Sequence, residues 1–379
     1  MQRYRSIDIL RGLAIILMIQ IHCVENLSSR EDRSGWLYDA STVLGSLPAP
    51  FFTFVSGLSY GLWLRKQKSL GRRDREITRV TLRRGLFLFL LGIVFNFCIW
   101  LPEETFNWDI LTLLGTSLLF LAVGRKLPVP VLTLICVLIL LLTPLLRVVG
   151  DFSAYWEDNA YTYDFKLRDI FFGFFTNGYF PLFPWIIFPI AGFVCGEFIV
   201  QQNRLPTRVL NRLGVIGIAA LGLAGLLVAF QRQIPTKIAQ QYASGLTEFP
   251  ASTEFVLAMV GFVLISLAVL HRWVDARETP SDGRYMTALR RFSSFSLTVY
   301  VLHHMLILWP LWIYGAWMGH EDSTFYWREA ISTPMALLVA ATIVSLSHFL
   351  LRFLDKHRRL TIEALMRRIC DRRSDPATR

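Results

Sequence analysis

Long apolar runs recur about ten times along the chain, separated by polar or charged breaks, and none alternates with the period of a strand. Those at 7–25, 41–64, 84–101, 109–123, 129–146, 181–199, 211–230, 254–271, 293–312 and 331–350 predict membrane-crossing helices. A hydrocarbon core roughly 30 Å thick needs about 20 residues at about 1.5 Å rise each. A membrane barrel would need alternating segments of about ten residues instead. The expectation is an all-α, polytopic integral membrane protein with about ten transmembrane helices. Segment 168–180, RDIFFGFFTNGYF, is apolar but short and broken by glycine. It lies at the interface, dips partway in, or makes an eleventh crossing that would reverse the second half.

Charge sets the orientation. Under a ten-span reading with an inner N-terminus, segments 1–6, 65–84, 124–128, 200–212, 272–291 and 351–379 hold 30 of the 39 Lys and Arg. The outer segments lean acidic, through residues such as Glu103, Glu104, Asp151, Asp158, Glu321, Asp322 and Glu329. Such a bias places both termini in the cytoplasm. The net charge of +11 is therefore a topology signal and no argument for nucleic acid as a partner. The densest cluster, residues 65–84, carries nine positive charges. It attracts anionic lipid headgroups, and it also suits a phosphorylated cofactor at the membrane face. The five cysteines lack a CxxC pair and read as small hydrophobes. Asp8 and Arg11 interrupt the first run and no small-residue cleavage site follows, so the first helix is expected to be retained. Residues 1–351 are expected to form one transmembrane domain, followed by a basic tail, 352–379. Within that tail LTIEALMRRIC, 360–370, has the apolar stripe of an interfacial helix.

Polar residues inside apolar runs carry the chemical argument, because the membrane penalises them. In the first helix Arg11 lies about 60° and His22 about 40° around from Asp8, so all three share a stripe, with Asp8 roughly 21 Å from His22 along the axis. Asp8 with Arg11 suits an ion pair, an anchor for neighbouring loops or a cofactor contact, and both stand among the candidate catalytic residues with His22, Tyr300 and His303. His22 suits either a helix–helix hydrogen bond or a functional site. The ninth run, SLTVYVLHHMLILW at 296–309, puts Ser296, Tyr300 and His303 on one face, with His304 about 100° away from His303. Adjacent histidines diverge on a helix, and neither HExxH nor a cysteine pair is present, so no metal is expected. A neutral imidazole can deprotonate an alcohol or amine, or attack a thioester itself. Asn96 and Asn177 suit carbonyls left open at kinks. The run YFPLFPWIIFPIAGFVCGE, 179–197, predicts irregular backbone around Pro181, Pro184 and Pro189. Irregular backbone at membrane depth lines protein or a wet cavity, which makes Pro184 and Trp185, with Asn96, Asn177 and Ser296, candidate pocket walls. Asp109 suits a helix cap, and Gly57 with Gly61 a close-packing face.

Four stretches, SIDILRGLAIILMIQIH at 6–22, FFTFVSG at 51–57, FPLFPWIIFPIAGFVCGE at 180–197 and SLTVYVLHHMLI at 296–307, resemble a family of bacterial inner-membrane proteins. That family is related to heparan-alpha-glucosaminide N-acetyltransferase and belongs with the wider membrane acyltransferases. The resemblance implies transfer of an acyl group, typically acetyl, from cytoplasmic acetyl-CoA to an amine or hydroxyl of a sugar or related small acceptor across the bilayer. In the wider group a catalytic histidine follows an RG motif in the first helix, and His22 follows Arg11-Gly12 in that way. The lysosomal enzyme looks different: it has asparagine at the matching place and uses a histidine in the first non-cytoplasmic loop. Here that loop, 24–41, contains no histidine. The resemblance then implies His22 as general base or transient acyl acceptor, and Tyr300 with His303 positioning the acceptor. Arg72, Arg73, Arg79, Arg83 or Arg84 would meet the coenzyme phosphates, and His304→Ala should leave activity nearly unaffected. A homodimer is the expected assembly, and a transporter or flippase of a small or lipid-linked solute, or a non-catalytic membrane scaffold, are the alternative readings.

Overall fold

The computed structural model describes residues 3–100, 102–157, 160–200, 207–233, 245–275, 283–319 and 331–371. Asp158, Glu321, Asp322, Glu329 and the tail beyond 371 lie outside the described residues. In chain order the helices are α1 (Arg5–Leu27), α2 (Trp36–Gly45), α3 (Pro48–Ser69), α4 (Asp74–Phe95), α5 (Ile110–Gly124) and α6 (Val129–Val149). They continue with α7 (Leu167–Phe172), α8 (Leu182–Trp185), α9 (Ile187–Val200), α10 (Thr207–Phe230), α11 (Thr253–Leu270) and α12 (Arg284–Ser294). The last three are α13 (Ser296–Met318), α14 (Thr333–Lys356) and α15 (Ile362–Cys370). A short antiparallel hairpin of β1 (Trp156–Glu157) and β2 (Ala160–Tyr161) follows α6.

Among the described residues nine helical stretches are long and apolar enough to cross a bilayer. The protein is thus a mostly helical, polytopic membrane protein. The fourth expected span, α5, has 15 residues, about 22 Å at the usual rise and shorter than a hydrocarbon core. Asp109 caps it as expected, accepting from Leu111 N at 2.7 Å and Thr112 N at 3.3 Å. The expected span at 41–64 is two helices, because the chain breaks at Ser46 between α2 and α3. Segment 168–180 makes α7 and a wide π turn over Gly173–Asn177, then leads through the proline-broken stretch into α8 and α9. Pro181 precedes α8 and Phe183 leaves helical geometry inside it, whereas Pro189 sits in the first turn of α9, where a missing N–H is tolerated.

The described chain forms two compact units, and each is built around close helix contacts. The first comprises Met1–Ser6 with Thr53–Glu278. Its helices approach through glycine: a Cβ on Gly57 would lie 1.9 Å from Pro189 O, and one on Gly192 would lie 1.9 Å from Phe54 O. Gly61 faces Gly196, so the expected packing face is present. Gly115 against Gly85, and Gly217 against Gly261, do the same for α4–α5 and α10–α11. The core includes Tyr60, Leu64, Ile77, Leu121, Ile190 and Phe193. Asn96 donates to Thr105 O at 3.3 Å and Asn177 to Gly150 O at 2.9 Å, both satisfying carbonyls near helix breaks as expected. Asp275 accepts from Arg5 N at 2.7 Å and from Ser6 Oγ, a carboxylate on the first turn of α1.

The second unit comprises Ile7–Phe52 and Thr279–Arg379. Here Gly12 lets α1 approach α12, since a Cβ would meet Leu289 O at 2.8 Å. The end of α1 joins the start of α14 through Ile331 N to Leu27 O, 3.1 Å, and Thr333 N to Asp32 Oδ2, 2.9 Å. In α15, Glu363 reaches the first turn of α13, where its carboxylate accepts from Leu297 N at 2.8 Å, Thr298 N at 3.0 Å and Thr298 Oγ1 at 2.6 Å. The carboxylate thereby satisfies amide donors that a helix start leaves open.

Candidate active site

Three histidines meet inside the second unit. His22 comes from the last two turns of α1, and His303 and His304 come from the middle of α13. Ring centroids are 5.4 Å apart for His22–His303, 4.6 Å for His22–His304 and 4.1 Å for His303–His304. Tyr300 stands edge-on to both α13 imidazoles, at 5.8 and 5.3 Å. The divergence expected of His304 is therefore corrected. The helical angle of about 100° applies to the Cα–Cβ directions, and rotation about the side-chain bonds brings both rings to the same side of His22. A one-dimensional helical wheel misses this, because χ angles add reach that position on the wheel does not encode.

Burial ranks the three rings. His303 is fully buried and His304 nearly so, while His22 is only partly covered. His303 Nδ1 lies 3.0 Å from Val299 O. A carbonyl only accepts, so Nδ1 carries the proton and Nε2 presents a lone pair. No hydrogen-bond partner for that Nε2 is found among the described residues. Asn26 Nδ2 donates to His22 O at 2.7 Å, tying down the backbone at the end of α1. The cluster therefore offers one accessible imidazole backed by two buried ones. That arrangement suits proton abstraction from an alcohol or amine that reaches His22.

Asp8 and Arg11 are placed elsewhere. Ser293 Oγ donates to Asp8 Oδ1 at 2.7 Å, and Arg11 Nη1 is 3.5 Å from Ser293 O. Both anchor the last turn of α12, where a cation also complements the helix dipole. Asp8 is 14 residues from His22 on a continuous helix, about 21 Å. Ser296 lies in the first turn of α13, about 10 Å along the axis from His303.

The remaining candidates belong to the first unit. Arg79 and Arg83 line a groove of ≈ 520 Å³ together with Asp74, Arg75, Thr78, Leu82 and Lys126. Asp74 pairs with Arg125 at 2.7 Å and Lys126 at 3.2 Å. Arg84 stacks over Trp63, 4.8 Å from the ring centroid, while Arg72 and Arg73 lie in the turn before α4. Arg75 and Lys126 are the groove cations that the sequence expectation omitted. Arg75 falls within the cluster it had singled out, and Lys126 lies in the short loop after α5. Asn96, Asn177, Pro184 and Trp185 are buried in this unit.

No curated protein matches the chain. A family model described as the catalytic region of heparan-alpha-glucosaminide N-acetyltransferase matches residues 3–231, a stretch that takes in His22 and the arginine cluster and stops before His303. That stretch is more than half of the 379 residues, so the chain belongs to this acetyltransferase family and is an enzyme of acyl-group transfer.

Proposed function

We propose that the enzyme moves an acetyl group from acetyl-CoA to an amine or hydroxyl of a sugar or related small acceptor, with His22 as general base. One observation carries this reading: the partly covered His22 ring stands against two buried imidazoles, one of which has its tautomer set by Val299 O. His22 takes the proton from the acceptor N–H or O–H as that atom attacks the thioester carbonyl. The C–S bond then breaks, and the leaving thiolate receives the proton from the imidazolium, so the ring returns neutral. Tyr300 and His303 orient the acceptor. Asn96, Asn177, Pro184 and Trp185 in the first unit, and Ser296 in the second, are each proposed as pocket-lining residues of their own unit.

The coenzyme phosphates are assigned to Arg79 and Arg83, with Arg72, Arg73 and Arg84 around them. Guanidinium groups hold phosphate through paired, fixed donors, and the groove beside α4 supports this choice. The distribution of 30 of 39 basic residues supports about ten spans with both termini cytoplasmic. A bacterial inner membrane is proposed as the location from the resemblance of the four sequence stretches alone. Residues 1–351 are taken as one catalytic domain and 352–379 as a tail; a homodimer remains an expectation.

The test is transfer of labelled acetyl from acetyl-CoA by detergent-purified protein to a panel of amino sugars and sugar alcohols. His22→Ala should lower kcat by about 10²–10⁴-fold, the usual contribution of a positioned base. Arg79→Gln with Arg83→Gln should raise KM for acetyl-CoA with kcat nearly kept. A folded His22→Ala protein that matches wild type would overturn the base assignment.

A further inference from the structure

We propose that His22, His303 and His304 form a binding site for a single divalent transition cation of the zinc class. The argument begins with the ligands. The three imidazoles can each supply one nitrogen, and those nitrogens all lie within 4.8 Å of one another. At the usual Zn–N length of about 2.0–2.1 Å, tetrahedral ligand nitrogens sit about 3.4 Å apart. The widest gap therefore has to close by about 1.4 Å on binding, a change that rotations about χ1 and χ2 of the three histidines would supply. Two adjacent histidines on one helix make a poor chelate by themselves. The third, from α1, faces both of them and completes a three-point set.

The second support is the state of His303. Its Nδ1–H is given to Val299 O, the arrangement that commonly orients a metal-bound histidine and raises the basicity of the other nitrogen. Its Nε2 is buried, and no hydrogen-bond partner for it is found among the described residues. A lone pair withdrawn from water without a donor is costly, and a cation would satisfy it.

The donor set then selects the ion. The cluster consists of imidazoles with no carboxylate among its ligands. Neutral nitrogen donors favour zinc, cobalt, nickel and copper over magnesium and calcium, which prefer oxygen. Three protein nitrogens leave a fourth tetrahedral position open for water. Occupancy stands on this geometry alone. Its consequence rests on the base role of His22: a cation held through the same lone pair removes the proton acceptor, so zinc inhibits acyl transfer.

The test uses the full-length protein in detergent, stripped of metal by a chelator and titrated with Co²⁺ as the probe. The expected result is saturable uptake of one Co²⁺ per chain, with the visible absorption bands of tetrahedral cobalt and displacement by Zn²⁺. Affinity should drop at least tenfold in His303→Gln and in His304→Gln. X-ray absorption on zinc-loaded wild type should show imidazole scattering from three ligands, a readout that needs no variant to fold. Absence of saturable uptake, coordination by oxygen alone, or wild-type affinity kept in the single His→Gln variants would overturn the site. Stoichiometric Zn²⁺ should abolish acetyl transfer reversibly. Full activity with the site loaded would overturn the inhibitory consequence, whereas full activity of metal-free His22→Ala would sink the base assignment instead.

Discussion

Gly57→Ala adds one methyl group to the contact between α3 and α9, and the structure sets what that methyl must displace. The new Cβ would lie 1.9 Å from Pro189 O, 2.7 Å from its carbonyl carbon and 2.8 Å from its Cα. All three are backbone atoms, so no side-chain rotation relieves the overlap. Real Cβ atoms stay beyond 3.0 Å, so the two helices must part by about 1 Å, a gap that forfeits about a quarter to a half of each facing dispersion contact. Overpacking of this kind costs about 1–3 kcal/mol. The better helix propensity of alanine offsets about 0.5–1 kcal/mol of it. A net loss of about 1 kcal/mol is expected. Gly222→Ala and Gly225→Ala place the same methyl where nothing lies within 4 Å, and should stabilise by about 0.5–1 kcal/mol. Gly61→Ala meets its nearest atoms at 3.4 Å and should be near neutral. Unfolding in mixed micelles with rising dodecyl sulfate, followed by far-UV circular dichroism, ranks the four. If Gly57→Ala unfolds together with Gly222→Ala, the two helices are not held at the spacing described and the reasoning fails.

Two further outcomes are expected. Glu363→Gln keeps the shape of the contact with the first turn of α13 but removes its charge, and should destabilise by about 0.5–2 kcal/mol in the same assay. Tyr163 has its phenol pushed up from 10.0 to about 12, first by burial, against the hydrogen bond from Phe106 N and together with the nearby Glu104 and Glu103 charges. Burial raises Tyr161 as well. A raised folded-state value means that stability is fully present below pH 10 and declines as pH climbs through about 12, because the unfolded phenol ionises first. Unfolding midpoints measured from pH 8 to 12 should stay level to about 10 and then fall. Tyr163→Phe should flatten part of that fall.

Much of the helical layout could be read from hydropathy, because a bilayer demands long uninterrupted apolar runs and the chain supplies them. Breaks inside those runs were harder to place. Ser46 sits between two apolar segments whose sum looks like one span, and only hydrogen bonding separates α2 from α3. Asp109 was legible as a cap because an aspartate just before an apolar run can accept from the amides that open the helix. His22 was legible because a charged or titratable group in an apolar run needs a reason. His304 was not, since proximity across two helices 280 residues apart depends on rotamers and on the packing of α1 against α13. Glu363 was equally hidden: an apolar stripe marks α15 as a surface helix, but nothing local in the tail names Thr298 as its partner.

The helices α6 and α10 present most of their apolar surface outward, with Leu134, Leu138, Leu141 and Leu145 exposed on the former and Val215, Ile218, Leu223 and Leu226 on the latter. The annular solvation shell is therefore anchored chiefly on these two rods. Their uncharged stretches, 129–146 and 213–230, correspond to about 27 Å each, so amphiphiles whose tails do not cover that height leave a collar of leucine and valine exposed there. Long-tailed maltosides or nanodiscs that match this height are the surroundings in which the purified enzyme stays dispersed.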